Sequence, residues 1–471
     1  MTGWGRKNWV RGLTIGTIVC ATWPLAPGAA QADSLEGAII QAYQNNPTLN
    51  SQRASVRVTD ENVPQALSGY RPKVTANGSI GQQYWDTTTR TATFGATYSQ
   101  LSGNMSPSNF GITATQTLYN GFQTANRTRQ AESQVQSARE TLRVSEQTIL
   151  LNAVTAYMNL LRDGAILDLQ RRNVEVLQEQ LRQTRDRFNV GEVTRTDVAQ
   201  SESRLASGRS QVLSAEATYK ASVATYRQVI GVEPGKLAPG SPVDRYSPHD
   251  LAGSIGVATA THPAVATAQY NVDAALLQVK VAEGALYPTL SLQGNVQQSY
   301  ESSLLQLRTF NASVLGQLSV PIYQGGAEYS LIRQAKETLG QRRLDLDTAR
   351  DQVRQTVVQS WGQLDAAKAN IDATQAQVQA SEIALNGVRE EARVGQRTTL
   401  DVLNAQQELV NARVALVSAQ RDRVVASYTL LAAVGRLSPQ ILGLRVPVYD
   451  SNVHYQQIRD TWAGVRTPDG R

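Results

Sequence analysis

The chain repeats itself, and this repeat restricts its fold more than any other feature. At an offset of 204 residues, six positions are identical in the two halves: Tyr119/Tyr323, Gly121/Gly325, Gly191/Gly395, Asp197/Asp401, Leu205/Leu409 and Gly231/Gly435. At an offset of 216, four more agree: Pro47/Pro263, Pro72/Pro288, Gly78/Gly294 and Tyr84/Tyr300. The difference places a loop 12 residues longer in the first copy. We therefore predict one structural unit built twice, over residues 33–250 and 251–435.

Each copy contains a long stretch in which apolar residues recur every seven positions. The stretches at 121–187 and 325–391 contain no proline, and both shift the pattern by four residues near the middle. Seven-residue repeats predict coiled-coil packing, and a four-residue insertion locally unwinds the supercoil. A shorter heptad stretch follows each, at 195–231 and 399–434. The pattern predicts two long helical hairpins with half-length return helices.

The hairpin tips have nearly the same sequence. Gly191 and Gly395 stand between the heptad stretches, and Asp197 and Asp401 follow six residues later. Glycine is common just past a helix C-terminus, and threonine or aspartate at the next helix start. We expect a tight turn at each tip.

Each copy also predicts a leading helix and two strands. Residues 73–85 and 289–300 alternate between apolar and polar side chains, and return strands follow at 109–118 and 309–320. Such strands are long enough to cross a bilayer when tilted. An open sheet edge in lipid leaves backbone groups unsatisfied, so several copies must pool their strands into a closed barrel. A half-buried sheet of a soluble domain remains the alternative.

Residues 1–32 have the pattern of a signal peptide. Arg6, Lys7 and Arg11 precede an apolar stretch at 12–23, and Ala30 and Ala32 offer a cleavage site. The only cysteine, Cys20, lies inside this segment, so the mature chain has no thiol chemistry. Removal of residues 1–32 lowers the formal net charge from +6 to +3. The positive net charge of the full sequence therefore does not indicate nucleic-acid binding.

The sequence offers no pattern typical of an enzyme or a cofactor site. His249, His262 and His454 are far apart and form no metal-ligand spacing with acidic residues. A phosphate-binding loop and a nucleophile elbow are also absent. We expect neither catalysis nor a bound cofactor.

The repeat and its tips resemble the TolC family of outer-membrane efflux and secretion channels. The motifs that carry the likeness are Phe188-Asn-Val-Gly191 with Thr196-Asp197-Val198, and Val394-Gly395 with Asp401-Val402. The tail from 442 resembles members that serve type I protein secretion. The resemblance implies a mainly α fold with a membrane β part. It also implies a homotrimer with a twelve-stranded barrel in outer-membrane lipid and a twelve-helix periplasmic tunnel. Segments 232–257 and 436–471 would form an equatorial belt, or the tail would be disordered.

The resemblance further implies roles for single residues. Asp197 and Arg397 would pair across neighbouring helices, and three copies of Asp401 would ring the aperture. Asn404 stands where well-known members carry a second acidic ring. The tips would dock a periplasmic adaptor through Val190, Gly191, Val193, Val394 and Gly395. The alternative is that the aspartates only cap helices and the glycines only end them.

We therefore expect a passive exit duct, opened when an adaptor and an inner-membrane pump of the ABC or RND type recruit it. A structural periplasmic coiled-coil protein without a membrane barrel is the alternative function. The cargo, whether protein, drug or metal, stays open.

Overall fold

A computed structural model describes residues 34–91, 95, 97–468 and 470. The predicted signal peptide lies outside these residues. The first repeat contains α1 (Leu35–Asn45), α2 (Pro47–Asp60), α3 (Asn62–Leu67), β1 (Lys73–Ile80), β2 (Gln83–Thr91), β3 (Thr97–Met105), β4 (Ser108–Asn120), α4 (Gln123–Asn189) and α5 (Arg195–Ile230). The second contains α6 (Leu251–Thr261), α7 (Pro263–Gly284), β5 (Thr289–Ser303), β6 (Gln306–Ser319), α8 (Ala327–Arg393) and α9 (Thr399–Ala433), and α10 (Ser451–Ile458) follows in the tail.

Two helices of 67 residues, α4 and α8, set the length of the molecule. At 1.5 Å per residue, each extends roughly 100 Å. Both begin and end two residues later than the sequence predicts. Each starts after a residue in the left-handed conformation, Phe122 and Gly326. These starts lie at the Tyr-Asn-Gly and Tyr-Gln-Gly-Gly turns that follow the strands.

Two shorter helices, α7 and α9, lie between the long helices α4 and α8. Toward the strands, α7 packs against both long helices, and toward the tips, α9 does the same. The leading segment of each repeat breaks at Asn46 and at His262, because the next residue is proline and begins a new helix. The first repeat breaks again at Glu61, between α2 and α3. In the described part of the chain, no helix combines the length and apolar character needed to cross a membrane.

Four strands form one antiparallel sheet in the order β1-β4-β5-β6. Among the described residues of one chain, the two outer strands, β1 and β6, are each paired on one side only. Along one face of the register lie Ile112, Val296 and Ala312, and the neighbouring row of the opposite face has Thr113, Asn295 and Ser313. The sheet therefore has an apolar and a polar face, as the alternation predicts.

The strands of the first repeat differ from the prediction. The strand expected at 73–85 ends at Ile80, and the segment expected to be a longer loop forms a separate hairpin, β2–β3. The physical reason is composition, because Tyr84, Trp85 and a run of threonines favour extended backbone. The longer copy therefore carries two additional strands, which in the described part of the chain pair only with each other.

The largest core lies near the middle of the long helices. It buries Tyr43, Tyr157 and Tyr226 among aliphatic residues of both repeats. The tail adds Leu437 to this core, and α10 packs on α2. Nδ1 of His454 lies 3.0 Å from Oδ2 of the fully buried Asp60. The described part of the tail is thus folded against the first repeat.

Candidate functional site

The two hairpin tips have the same backbone geometry. Gly191 and Gly395 adopt φ values of 81° and 79°, a left-handed conformation that glycine takes without a Cβ clash. The N–H of Gly191 donates to the carbonyl of Phe188, and that of Glu192 to Arg187. In the second tip, Gly395 donates to Ala392, and Gln396 to Glu391. Each long helix therefore ends in a hydrogen-bonded glycine turn.

A capping box starts each return helix. The Thr194 hydroxyl accepts from the N–H of Asp197, and Oδ2 of Asp197 accepts from the N–H of Thr194 at 2.9 Å. Thr398 and Asp401 repeat the arrangement, with 3.0 Å for the corresponding bond. These hydrogen bonds hold the pKa of Asp401 below its usual value. Both aspartates therefore cap their helices, and the cap alternative describes their contacts within one chain.

Arg397 bonds inside its own tip. Its Nε lies 2.9 Å from Oε2 of Glu391. In the first tip, Nε of Arg187 lies 3.0 Å from Oε2 of Glu192. Among the described residues of this single chain, no ion pair joins Arg397 to Asp197. Sequence reasoning missed Glu391, although it lies only six residues before Arg397.

Asn404 contacts a residue that the sequence did not bring to attention. Nη2 of Arg204, on α5, donates to Oδ1 of Asn404, on α9, at 2.7 Å. The repeat gave no signal for this contact, because the position matching Arg204 is Glu408. The two return helices are thus joined directly at the level of the predicted second ring.

The ends of the tips are open surface. Val190 and Val394 are each 72% exposed, and Val193 is half-buried. A Cβ added at Gly191 or Gly395 would meet no atom within 4 Å. The five residues predicted to dock an adaptor therefore lie at the two exposed ends. Over the residues with a described placement, no group of three His, Cys, Asp or Glu side chains could hold a metal ion.

Comparison with known proteins places this architecture in a family. The family described as outer membrane efflux protein matches residues 38–232 and 255–436. The chain is 42% identical to the outer membrane efflux protein BepC of Brucella suis biovar 1 (strain 1330), over 98% of each chain. It is 26% identical to the outer membrane protein TolC of Escherichia coli (strain K12), over 88% of this chain and 84% of that protein.

The fold agrees with a solved channel structure. The chain superposes on a crystal structure of CusC, whose description concerns folding and transmembrane channel formation, with a TM-score of 0.72 and 16% identity. The match covers 86% of this chain and 92% of that one.

Long duplicated hairpins joined to a small sheet define the class of TolC-like outer-membrane channel proteins. The chain belongs to the outer membrane efflux protein family. The resemblance stated from the motifs is thereby confirmed, and so are the mainly α fold with its β part and the outer-membrane location.

Proposed function

We propose that the protein is the exit duct of a tripartite efflux or type I secretion system. The observation that carries this proposal is the geometry of the chain. A sheet with an apolar face stands at one end, and two exposed hairpin tips stand roughly 100 Å away. A duct that starts at the outer membrane and reaches partners across the periplasm needs both ends and this length.

We propose a homotrimer as the closed form of the duct. The free edges of β1 and β6 would pair between copies, and three four-stranded sheets would close a twelve-stranded barrel. Large apolar side chains on the sheet are exposed in one chain, among them Ile112, Val314 and Leu318. These side chains would face lipid, while the row with Thr113 and Asn295 would face the lumen.

The tips would close the periplasmic mouth. Asp197 and Arg397 would pair between neighbouring hairpins of different copies, and Asp401 and Asn404 would line the aperture. Arg397 is exposed, and so is Glu391, its partner within the chain. Exposed ion pairs contribute little, about 0–1 kcal/mol, so exchange of partners costs little. Recruitment by an adaptor and an inner-membrane pump would open this gate.

The adaptor would dock end to end on the exposed tips, at Val190, Gly191, Val193, Val394 and Gly395. Two features support this: Val190 and Val394 are solvent-exposed, and the glycines leave the backbone accessible. The duct itself would conduct passively, and the pump would supply the energy.

Fractionation and gel mobility test the duct against the structural alternative. We expect the protein in the outer membrane, as a trimer whose mobility changes on boiling. A soluble periplasmic monomer would instead support the coiled-coil protein without a barrel. Gene deletion then separates the two cargo classes, because loss of drug resistance indicates efflux and loss of secreted proteins indicates type I secretion.

A further inference from the structure

Near their tips, the two hairpins of one chain are in direct contact with each other. Leu403, on α9, is only 2% exposed, although it lies two residues beyond Asp401. It packs into a groove of the first hairpin, formed by Leu177 and Leu181 of α4 and Leu205 of α5. A leucine buried between elements in this way resists their separation, because separation returns its side chain to water.

Polar contacts flank this leucine. The 2.7 Å bond from Arg204 to Asn404 joins α5 to α9 directly beside it. Further along α9, Nε2 of Gln406 donates to Oδ1 of the buried Asn173 on α4 at 3.4 Å. Oε1 of Gln406 accepts from Nη2 of Arg389 at 3.0 Å. Near the tips, the second hairpin thus contacts the first through the apolar side chain of Leu403 and through the hydrogen bonds of Asn404 and Gln406.

The repeat does not duplicate these links. In the first hairpin, Leu403 is matched by Ala199 and Asn404 by Gln200. Gln406 is matched by Glu202, which instead forms an ion pair with Arg185 of its own hairpin at 2.6 Å. The contact is therefore a property of this one seam, and the first return helix lacks the matching side chains.

We propose that Leu403, Arg204 and Asn404 form a latch that holds the second hairpin closed against the first. The proposal rests on the tip gate proposed above and adds residues to it. Any opening that swings α9 away from α4 and α5 must withdraw Leu403 from its groove and break the bond from Arg204. The latch is separate from Asp197 and Arg397, which bond inside their own tips within one chain and pair between copies in the proposed gate.

Single-channel conductance of the purified full chain in planar bilayers tests the latch. We expect Arg204→Ala, Asn404→Ala and Leu403→Ala each to raise the conductance at least twofold. Arg204→Lys should raise it less than Arg204→Ala does, because a lysine ammonium can still donate to Oδ1 of Asn404. Arg209→Ala is the matched control, since Arg209 is an exposed arginine on the same helix.

A cross-link supplies the opposite perturbation. Cys20 is the only native cysteine and lies in the predicted signal peptide. A chain carrying Arg204→Cys and Asn404→Cys should conduct more than wild type, and a short bis-maleimide should return it to the wild-type conductance. Unboiled gel mobility of every variant reports whether the trimer is retained. If Leu403→Ala lowers the yield of trimer, the two polar variants carry the test.

The outcomes separate the latch from the gate. If Arg204→Ala and Asn404→Ala conduct like wild type while Asp197→Ala with Arg397→Ser conducts more, the latch is wrong and the gate stands. If conductance rises equally in Arg204→Ala and Arg204→Lys, the bond from Arg204 to Asn404 is not what restrains opening. If no tip variant changes conductance, both proposals fail.

Discussion

At the residue scale, the two repeats cap the equivalent helices α2 and α7 with different side chains. Asn46 and His262 each stand before a proline that begins a helix. The Asn46 side chain accepts from the N–H of Thr48 and donates to the carbonyl of Val229. Nδ1 of His262 accepts from the N–H of Ala264 at 3.1 Å, and the ring also bonds the backbone of Ala432. Only the histidine version titrates.

We predict that His262 makes the free energy of unfolding depend on pH below about 6.5. Burial, and to a lesser degree the charge of Arg143, lowers the pKa of His262 below its usual value. The stabilisation is therefore complete above about pH 6.5 and is lost as pH falls through the lower folded pKa. Protonation of Nδ1 would end the helix-capping bond from Ala264, and such a cap typically contributes about 1 kcal/mol. His262→Asn should remove this pH-dependent loss, because asparagine does not titrate. Melting midpoints of both chains between about pH 8 and 5 measure it, and an unchanged pH slope in the variant would refute it.

A second residue-scale prediction separates cap from gate at Asp197. The asparagine side chain of an Asp197→Asn variant, unlike alanine, keeps an oxygen that can accept from the N–H of Thr194, but it has no charge to pair with Arg397. If the charge holds the gate, Asp197→Asn should raise single-channel conductance as much as Asp197→Ala. A rise in the alanine variant alone would show that the residue only caps its helix.

At the element scale, the sequence predicted what depends on periodicity. The seven-residue pattern predicted the long hairpins to within two residues, and the glycine–aspartate spacing predicted the tips. The β2–β3 hairpin was missed because a run of threonines shows no apolar alternation. The bond from Arg204 to Asn404 was also missed, because it joins positions 200 residues apart whose counterparts in the other repeat, Glu408 and Gln200, are different residues.

The tail helix gives an element-scale prediction. Asp60 is fully buried, and its Oδ2 contacts His454. His454→Ala leaves this buried acceptor without that partner, which typically costs about 1–3 kcal/mol. We expect α10 to detach more often, so limited proteolysis should cleave the tail several times faster. Gln456→Ala, an exposed change on the same helix, is the control and should leave the cleavage rate unchanged.

The glycine turns at the hairpin tips give a second element-scale prediction. Gly191→Ala should strain the turn by roughly 1 kcal/mol, since φ there is positive, while meeting no neighbouring atom. The trimer should therefore form normally. If an adaptor approaches the backbone at this point, its cross-linking to the variant in cells should fall. Cross-linking equal to wild type would place the docking surface elsewhere.

At the scale of the whole molecule, a single chain leaves strand edges unpaired and large apolar surfaces exposed among its described residues. Its sheet has two edges, and large apolar side chains on the strands are exposed. Its long helices and return helices also expose apolar residues, among them Leu213, Leu344 and Ile383. Copies of the same chain would cover both surfaces, and the resulting ring would place the tips around one opening.

The central claim is that this opening is closed at rest by contacts between the hairpin tips. Single-channel conductance in planar bilayers tests it most directly, with wild type measured beside the Asp197→Ala, Arg397→Ser double variant. We predict small, uniform conductance steps for wild type and steps several-fold larger for the variant. Equal steps in the two proteins, or no steps in either, would contradict the account.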